Sequence, residues 1–252
     1  MKEKLKGFYL LVSSLFIAVL HLPLVFAKPI SANRLIPLPA ASPASPPADS
    51  LQHTSTFKSV YDSLHLELSG LSRQAFEYAQ KGWEKLLSQG RIINESIVAI
   101  VDFSQPSSHR RFYVLDMKNY KVLFNTLVAH GRNSGKEWAS SFSNQPSSYK
   151  SSPGFFITGE TYNGSNGYSL RLQGIERGIN DKAQKRAIVM HGADYVDESY
   201  IEAQGYIGRS QGCPAVPATE AYPIINTIKE GTCLFVYTPD KRYTSRSALL
   251  KR

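Results

Sequence analysis

Two cysteines occur in 252 residues, and one of them, Cys213, lies within "GRSQGCPAVP" over residues 208–217. Gly212 precedes it and Pro214 follows, a pairing that marks a surface turn rather than a core position. A thiol does chemistry when an imidazole stands by to take or hold its proton, because the thiolate is the species that attacks a carbonyl carbon. His191 fits that need. It lies in the run "RAIVMHGADY" over residues 186–195, 22 positions before Cys213, which is ample chain for the intervening loop to fold back. Gly212 has no side chain, so a substrate can approach its backbone closely. The N–H groups of Gly212 and Cys213, with the Ser210 hydroxyl, are then candidate donors to a developing oxyanion. The competing reading is a buried Cys213 that packs as a small hydrophobe. Cys233, in the apolar "TCLFVY", reads as inert core. A disulfide between the two cysteines would extinguish the nucleophile.

A second histidine has the same local setting. His130, in "VAHGRNSG", stands at a strand end before a glycine-rich loop. It reads either as a residue that lines or orients a substrate groove, or as a structural histidine bonded to a loop carbonyl.

These groups need a scaffold. Phe57, Val60, Tyr61, Leu64 and Leu68 recur at helical spacing, and a second helix is expected from the N-cap Ser72, with Phe76, Ala79, Trp83, Leu86 and Leu87 on one stripe and Gly90 at its end. From Ser96 the pattern becomes strand-like: "SIVAIVDF", "RFYVLDM", "KVLFNTLVAH", "GFFITGETY", "YSLRLQGI", "RAIVMHG" and "TCLFVYT". A tight turn around Lys118 and Asn119 joins the second and third, and "NGSNG" marks a hairpin between the fourth and fifth. Short helices are expected at 180–185 after Asn180, at 198–204 after Asp197 and at 219–229 after Thr219. The class is mainly β with peripheral helices, not an alternating βαβ chain. The C-terminal "KRYTSRSALLKR" over 241–252 reads as basic and frayed, with 243–252 as a tail beyond a folded unit at 56–242.

Ahead of the folded unit, "MKEKLKG" and a long apolar run end in Val25 and Ala27, the small residues of an export-signal cleavage site over 1–27; an uncleaved anchor is the alternative, and this segment is the chain's one expected contact with a membrane. Residues 28–55 are rich in Pro, Ala and Ser and read as an extended linker. The net charge of +9 points to an anionic neighbourhood. No helix-turn-helix, RNP-like or zinc-finger pattern accompanies it, so nucleic acid is not an expected partner. No CxxC, HExxH or helix-spaced histidine pair suggests a metal, and no cofactor is expected.

The stretch "HGADYVDESYIEAQGYIGRSQGCPAVP" resembles the signature of the L,D-transpeptidase catalytic domain, the YkuD-like fold. The family pattern is His-Gly, a spacer, then Ser or Thr, any residue, Gly and Cys. Here it is His191-Gly192, residues 193–209, and Ser210-Gln211-Gly212-Cys213. "VAHGRNSG", "NQPSSYKSSPGFFITGETYNGSNGYSLRLQGIERGIND" and the Gly-Cys-Pro-Ala ending make the chain similar to one branch, the murein L,D-transpeptidase catalytic domain family, across most of the folded unit. The resemblance implies a β-sandwich catalytic domain with short peripheral helices and an N-terminal helical pair. It implies an exported, periplasmic or wall-facing cysteine acyltransferase working without a cofactor on peptidoglycan tetrapeptide stems. The cysteine attacks the carbonyl before the terminal D-alanine, D-alanine leaves, and an amine on a neighbouring stem or a protein resolves the thioester.

Carried over, Cys213 is the nucleophile and His191 its proton partner, with Gly192 or Ser210 as the orienting group. Tyr195 reads as a wall of the site, Ser151 as a loop bond and Asn180 as a helix cap. Many members have His where this chain has Gln211, and a donor-holding Arg where it has Ala215; Arg209, on the other side of the cysteine, is the candidate replacement. Water in place of an amine would give an L,D-carboxypeptidase, and loss of those two residues also admits a wall-binding module with a degenerate site. A papain-like protease is disfavoured, because it would carry its cysteine early, on a helix, with the histidine far downstream.

Overall fold

A computed structural model describes residues 60–251. The export segment at 1–27, the linker at 28–55 and Phe57 lie outside the described residues. The backbone is helical at 60–63 and then proceeds in turns to Leu71, so the first expected helix ends sooner than its apolar spacing suggested. His65 adopts a left-handed conformation with φ 49°, and Leu66 N–H reaches back to the Tyr61 carbonyl; both end the helix before Leu68, which is left exposed. Helix α1 (Arg73–Ser88) starts as expected, with Ser72 Oγ accepting the Ala75 N–H at 3.0 Å. Phe76, Ala79 and Leu86 bury its apolar stripe.

Eight strands form a single sheet: β1 (Ile97–Asp102), β2 (Phe112–Asp116), β3 (Lys121–Thr126), β4 (Gly154–Gly164), β5 (Gly167–Gly174), β6 (Val189–Ala193), β7 (Ala215–Pro217) and β8 (Cys233–Tyr237). Their order is β3-β2-β1-β8-β4-β5-β6-β7. The central β1 and β8 are parallel and fully buried, which explains their unbroken apolar sequences. Bridges from Ala129 to Ala215 and from Gly131 to Ser210 connect the chain beyond β3 to β7 and its approach, so the two ends of the sheet nearly meet. One core lies inside this curve. There Ala99, Val101, Phe112 and Val114 meet Leu170, Leu172, Met190 and Val216, and helix α3 (Ala218–Ile228) adds Ile224, Ile225 and Ile228. A second core lies on the other face of β1 and β8, beneath α1. The mainly β class with peripheral helices thus stands, built as one nearly closed sheet. Helix α2 (Glu198–Gln204) begins where expected, at the N-cap Asp197.

Two expectations are corrected. Residues 177–187 form successive turns, not a helix at 180–185. The Asn180 side chain does not cap a helix; it accepts the Glu176 N–H and donates to the carbonyls of Pro153 and Phe155, which pins the turn to the start of β4. The C-terminal tail is not frayed. Helix α4 (Lys241–Thr244) and the residues after it bury Tyr243, Ser247, Leu249 and Leu250 against the second core. The Tyr243 and Ser247 hydroxyls donate to the buried Glu176 carboxylate, and Lys81 and Lys85 of α1 donate to the carbonyls of Leu250 and Ala248. The basic character of this segment had hidden its apolar half.

Candidate active site

An open cleft of about 860 Å³ runs along the β6–β7 edge of the sheet, and both His191 and Cys213 line it. The parallel register that pairs His191 with Ala215 brings the two motifs together. His191 Nδ1 lies 2.8 Å from the Gly192 carbonyl. A carbonyl only accepts, so Nδ1 carries the proton and Nε2 is left as the basic nitrogen. Burial lowers the His191 pKa, although the bond to Gly192 works against this. Gly192 is itself a packing requirement, because a Cβ there would sit 2.8 Å from Ala221 Cβ and 3.0 Å from Ala218 Cα on α3.

Cys213 is half-buried and unpaired, as is the fully buried Cys233, and the two belong to different cores. The Cys213 sulfur accepts the Val189 N–H at 3.5 Å and lies 3.8 Å from the Ala187 carbonyl. Burial raises its pKa, while the Val189 N–H and the Arg186 charge pull it down. The raised thiol and the lowered imidazole are each neutral in the resting cleft, with the proton on sulfur.

The expected oxyanion donors are corrected. The Gly212 N–H donates to Ser210 Oγ at 3.0 Å, and the Ser210 hydroxyl donates to the Cys213 carbonyl at 2.6 Å. Both are consumed inside the turn, so Ser210 is a clamp on the nucleophile loop rather than a free donor. Among the described residues, the Cys213 N–H has no protein acceptor and is the donor that remains.

Of the two readings of His130, the structure fits the structural histidine bonded to a loop carbonyl. It is fully buried and does not line the cleft. Its Nδ1 accepts from Arg111 Nη2 at 2.8 Å, its Nε2 faces the Gly135 carbonyl at 3.3 Å, and Phe103 packs edge-on against it. Burial, then the Arg111 charge, depresses its pKa to about 3. It is a neutral strut that holds the Gly131–Gly135 loop.

Tyr195 and Arg209 do line the cleft. Burial pushes the Tyr195 phenol up to about 12, so it stays protonated. Arg209 donates to the carbonyls of Gly135 at 2.9 Å and Arg132 at 3.3 Å. Ser151 makes the loop bond expected of it, accepting the Gly131 N–H at 3.0 Å. Ala215 is fully buried in a small third core, so an arginine could not stand there. The sequence did not single out Arg132, Tyr149 or Arg186, which the fold brings into the cleft; Arg132 stacks over the Tyr149 ring at 4.0 Å. Arg186 had carried one signal, a charge heading an otherwise apolar run.

The model of the L,D-transpeptidase catalytic domain matches residues 67–237, about two thirds of the chain and all eight strands of the sheet. The chain belongs to the L,D-transpeptidase catalytic domain family. Solved structures to which the chain is similar include an L,D-transpeptidase from Mycobacterium smegmatis at 13% identity and TM-score 0.35, covering 57% of this chain and 59% of that one. Another, from Mycobacterium tuberculosis H37Rv, shows 15% identity and TM-score 0.38, over 57% and 58% of the two chains. A third, residues 123–326 of the L,D-transpeptidase from Xylanimonas cellulosilytica, shows 16% identity and TM-score 0.33, over 61% and 68%. The chain spans about three fifths of the length of the first of these solved structures. No curated protein matches. Among the described residues, no cluster of three or more His, Cys, Asp or Glu side chains could hold a metal, and no helix is long and apolar enough to cross a membrane.

Proposed function

We propose that this L,D-transpeptidase domain is a cysteine acyltransferase of the bacterial cell wall, exported to act on peptidoglycan stem peptides. The observation that carries the reading is the state of His191. With Nδ1 committed to the Gly192 carbonyl, the neutral ring offers Nε2 as a base in the same cleft as Cys213. As the Cys213 sulfur attacks the carbonyl between the diamino acid and the terminal D-alanine, its proton passes to His191 Nε2. The Cys213 N–H is the donor available to the tetrahedral oxyanion. The imidazolium then gives its proton to the departing D-alanine amine, leaving a thioester on Cys213. A second amine attacks the thioester, His191 takes its proton, and the new amide leaves with the thiol restored.

Arg132 and Arg209 suit the carboxylates of such a stem. Among the described residues neither has an ion-pair partner, and both line the cleft. Arg209 takes the place of the arginine that the buried Ala215 cannot supply.

The test is incubation of the full chain with tetrapeptide muropeptides, followed by mass spectrometry. Loss of D-alanine with a transient adduct on Cys213 is expected, and Cys213→Ala should show neither. Crosslinked products would identify an amine acceptor, and free tripeptides would identify water. Unchanged substrate and unmodified Cys213, under conditions where an active relative turns over, would refute the proposal.

A further inference from the structure

We propose that Arg186 is a positioning residue for the nucleophile: locked by the 143–152 loop against Gly212, its guanidinium supplies the charge that steadies the Cys213 sulfur as it becomes an anion. The inference rests on the reading of Cys213 as the attacking atom and adds a role for a residue outside the His-Gly and Ser-x-Gly-Cys motifs.

The guanidinium is held by neutral acceptors. Nη1 donates to the Ser143 carbonyl at 2.9 Å and to Ser152 Oγ at 2.5 Å, and Nη2 donates to the Lys150 carbonyl at 2.6 Å and Ser148 Oγ at 3.3 Å. Among the described residues no carboxylate pairs with it. Its charge is therefore fixed in place but not cancelled.

The same group packs on the nucleophile turn. Gly212 has φ 120°, and a Cβ on it would lie 3.3 Å from Arg186 Nη2 and 2.8 Å from the Lys150 carbonyl that Arg186 grips. No other residue type fits that contact. The next residue, Ala187, is left-handed at φ 52°, and its carbonyl faces the Cys213 sulfur at 3.8 Å. Val189 then donates its N–H to the same sulfur. One short segment thus presents a cation, a carbonyl and an N–H to the nucleophile and its turn.

The other charged or titratable groups in the cleft do not bring a fixed cation against the nucleophile turn. His191 on β6 is neutral, Tyr195 is a protonated phenol, Arg209 is tied to two carbonyls and Arg132 stacks on Tyr149. Asp194 is the acidic lining residue. Burial lowers the Arg186 pKa, with the Cys213 charge opposing it, and the Arg186 charge in turn pulls down the Cys213 pKa that burial raises.

The experiment is the pH dependence of Cys213 alkylation by iodoacetamide, a probe that needs no transpeptidase substrate, in the full chain and in Arg186→Gln, Arg186→Lys and Ser152→Ala variants. Cys233 is fully buried, so its labelling reports unfolding. Arg186→Gln should move the inflection upward and slow alkylation near neutral pH by roughly tenfold. Arg186→Lys should restore most of that rate, and Ser152→Ala, which loosens the tether but keeps the charge, should leave the inflection in place. An unmoved inflection in Arg186→Gln, or equal shifts in the Gln and Lys variants, overturns the proposal. If the Gln variant labels at Cys233, Arg186→Met replaces it. The iodoacetate-to-iodoacetamide rate ratio of the unmodified protein then also decides, and a ratio no higher than that of a free thiol peptide overturns the proposal. Failure of D-alanine release in the unmodified protein would count against the acyltransferase reading, not against this one.

Discussion

Mild acid should destabilise this domain through His130, a residue outside the cleft. In the folded protein its imidazole is held neutral between Arg111 Nη2 and the Gly135 carbonyl, and its pKa falls from 6.5 to about 3. The unfolded chain has no such constraint. Because the folded pKa is the lower one, the stabilisation is complete above the unfolded value and is lost as pH falls toward the folded value. Between those limits the loss is about 1.4 kcal/mol per pH unit, so acidifying to pH ~5 removes roughly 2 kcal/mol. That is a large share of the 5–15 kcal/mol typical of a domain. Protonation would also bring two cations together at a fully buried site, since Arg111 has no exposed surface. His130→Gln carries a neutral acceptor and donor and should lose this component. His191, with a depressed pKa, and Glu176, whose raised pKa acts in the opposite direction, remain in both proteins and cancel in the comparison. The assay is urea unfolding followed by Trp83 and Trp138 fluorescence across the acid range. The unmodified protein should lose about 2 kcal/mol more than His130→Gln on passing from neutral pH to ~5. Parallel curves would refute the account of His130 as a buried neutral strut.

Other perturbations test the site and its supports. Gly192→Ala should cost about 1–3 kcal/mol, measured by denaturation, because its Cβ meets α3 at 2.8 Å; acyl transfer should fall with it, since the same residue orients His191. Ser210→Ala should remove the clamp between Gly212 and Cys213, cost about 1–2 kcal/mol and slow adduct formation on Cys213 with tetrapeptide muropeptides, read by intact mass. Deleting residues 241–252 should lower stability by at least about 2 kcal/mol, because it uncovers the sites of Tyr243, Leu249 and Leu250; a midpoint unchanged in urea would restore the frayed-tail reading. The acid limb of kcat/KM should lie below the ordinary imidazole range, because burial depresses His191, and a limb at or above that range would contradict the Gly192-bound neutral ring.

The primary sequence carried the motif and the strand pattern. Gly and Pro around Cys213 announced a turn, apolar β-branched runs announced β1, β6 and β8, and Ser72 and Asp197 announced helix starts, because each depends on side chains close in sequence. His130 and His191 illustrate the limit of that information. Both follow an apolar run and precede a glycine, yet one is sealed between Arg111 and Phe103 while the other opens onto the cleft. Their difference comes from β6 pairing with β7 and from the Arg111 guanidinium and Phe103 ring closing on His130, contacts made far along the chain. Likewise, the sequence supplied Ser210 and Gly212 as hydrogen-bonding groups, and only the folded turn decided that they satisfy each other. Arg186 is the clearest case: its position marked nothing chemical, and long-range packing of the 143–152 loop set its guanidinium against the nucleophile turn at Gly212. Local spacing determines which atoms are available; the fold determines which of them face one another, because hydrogen bonds and charges act over a few ångströms of space and not along the chain.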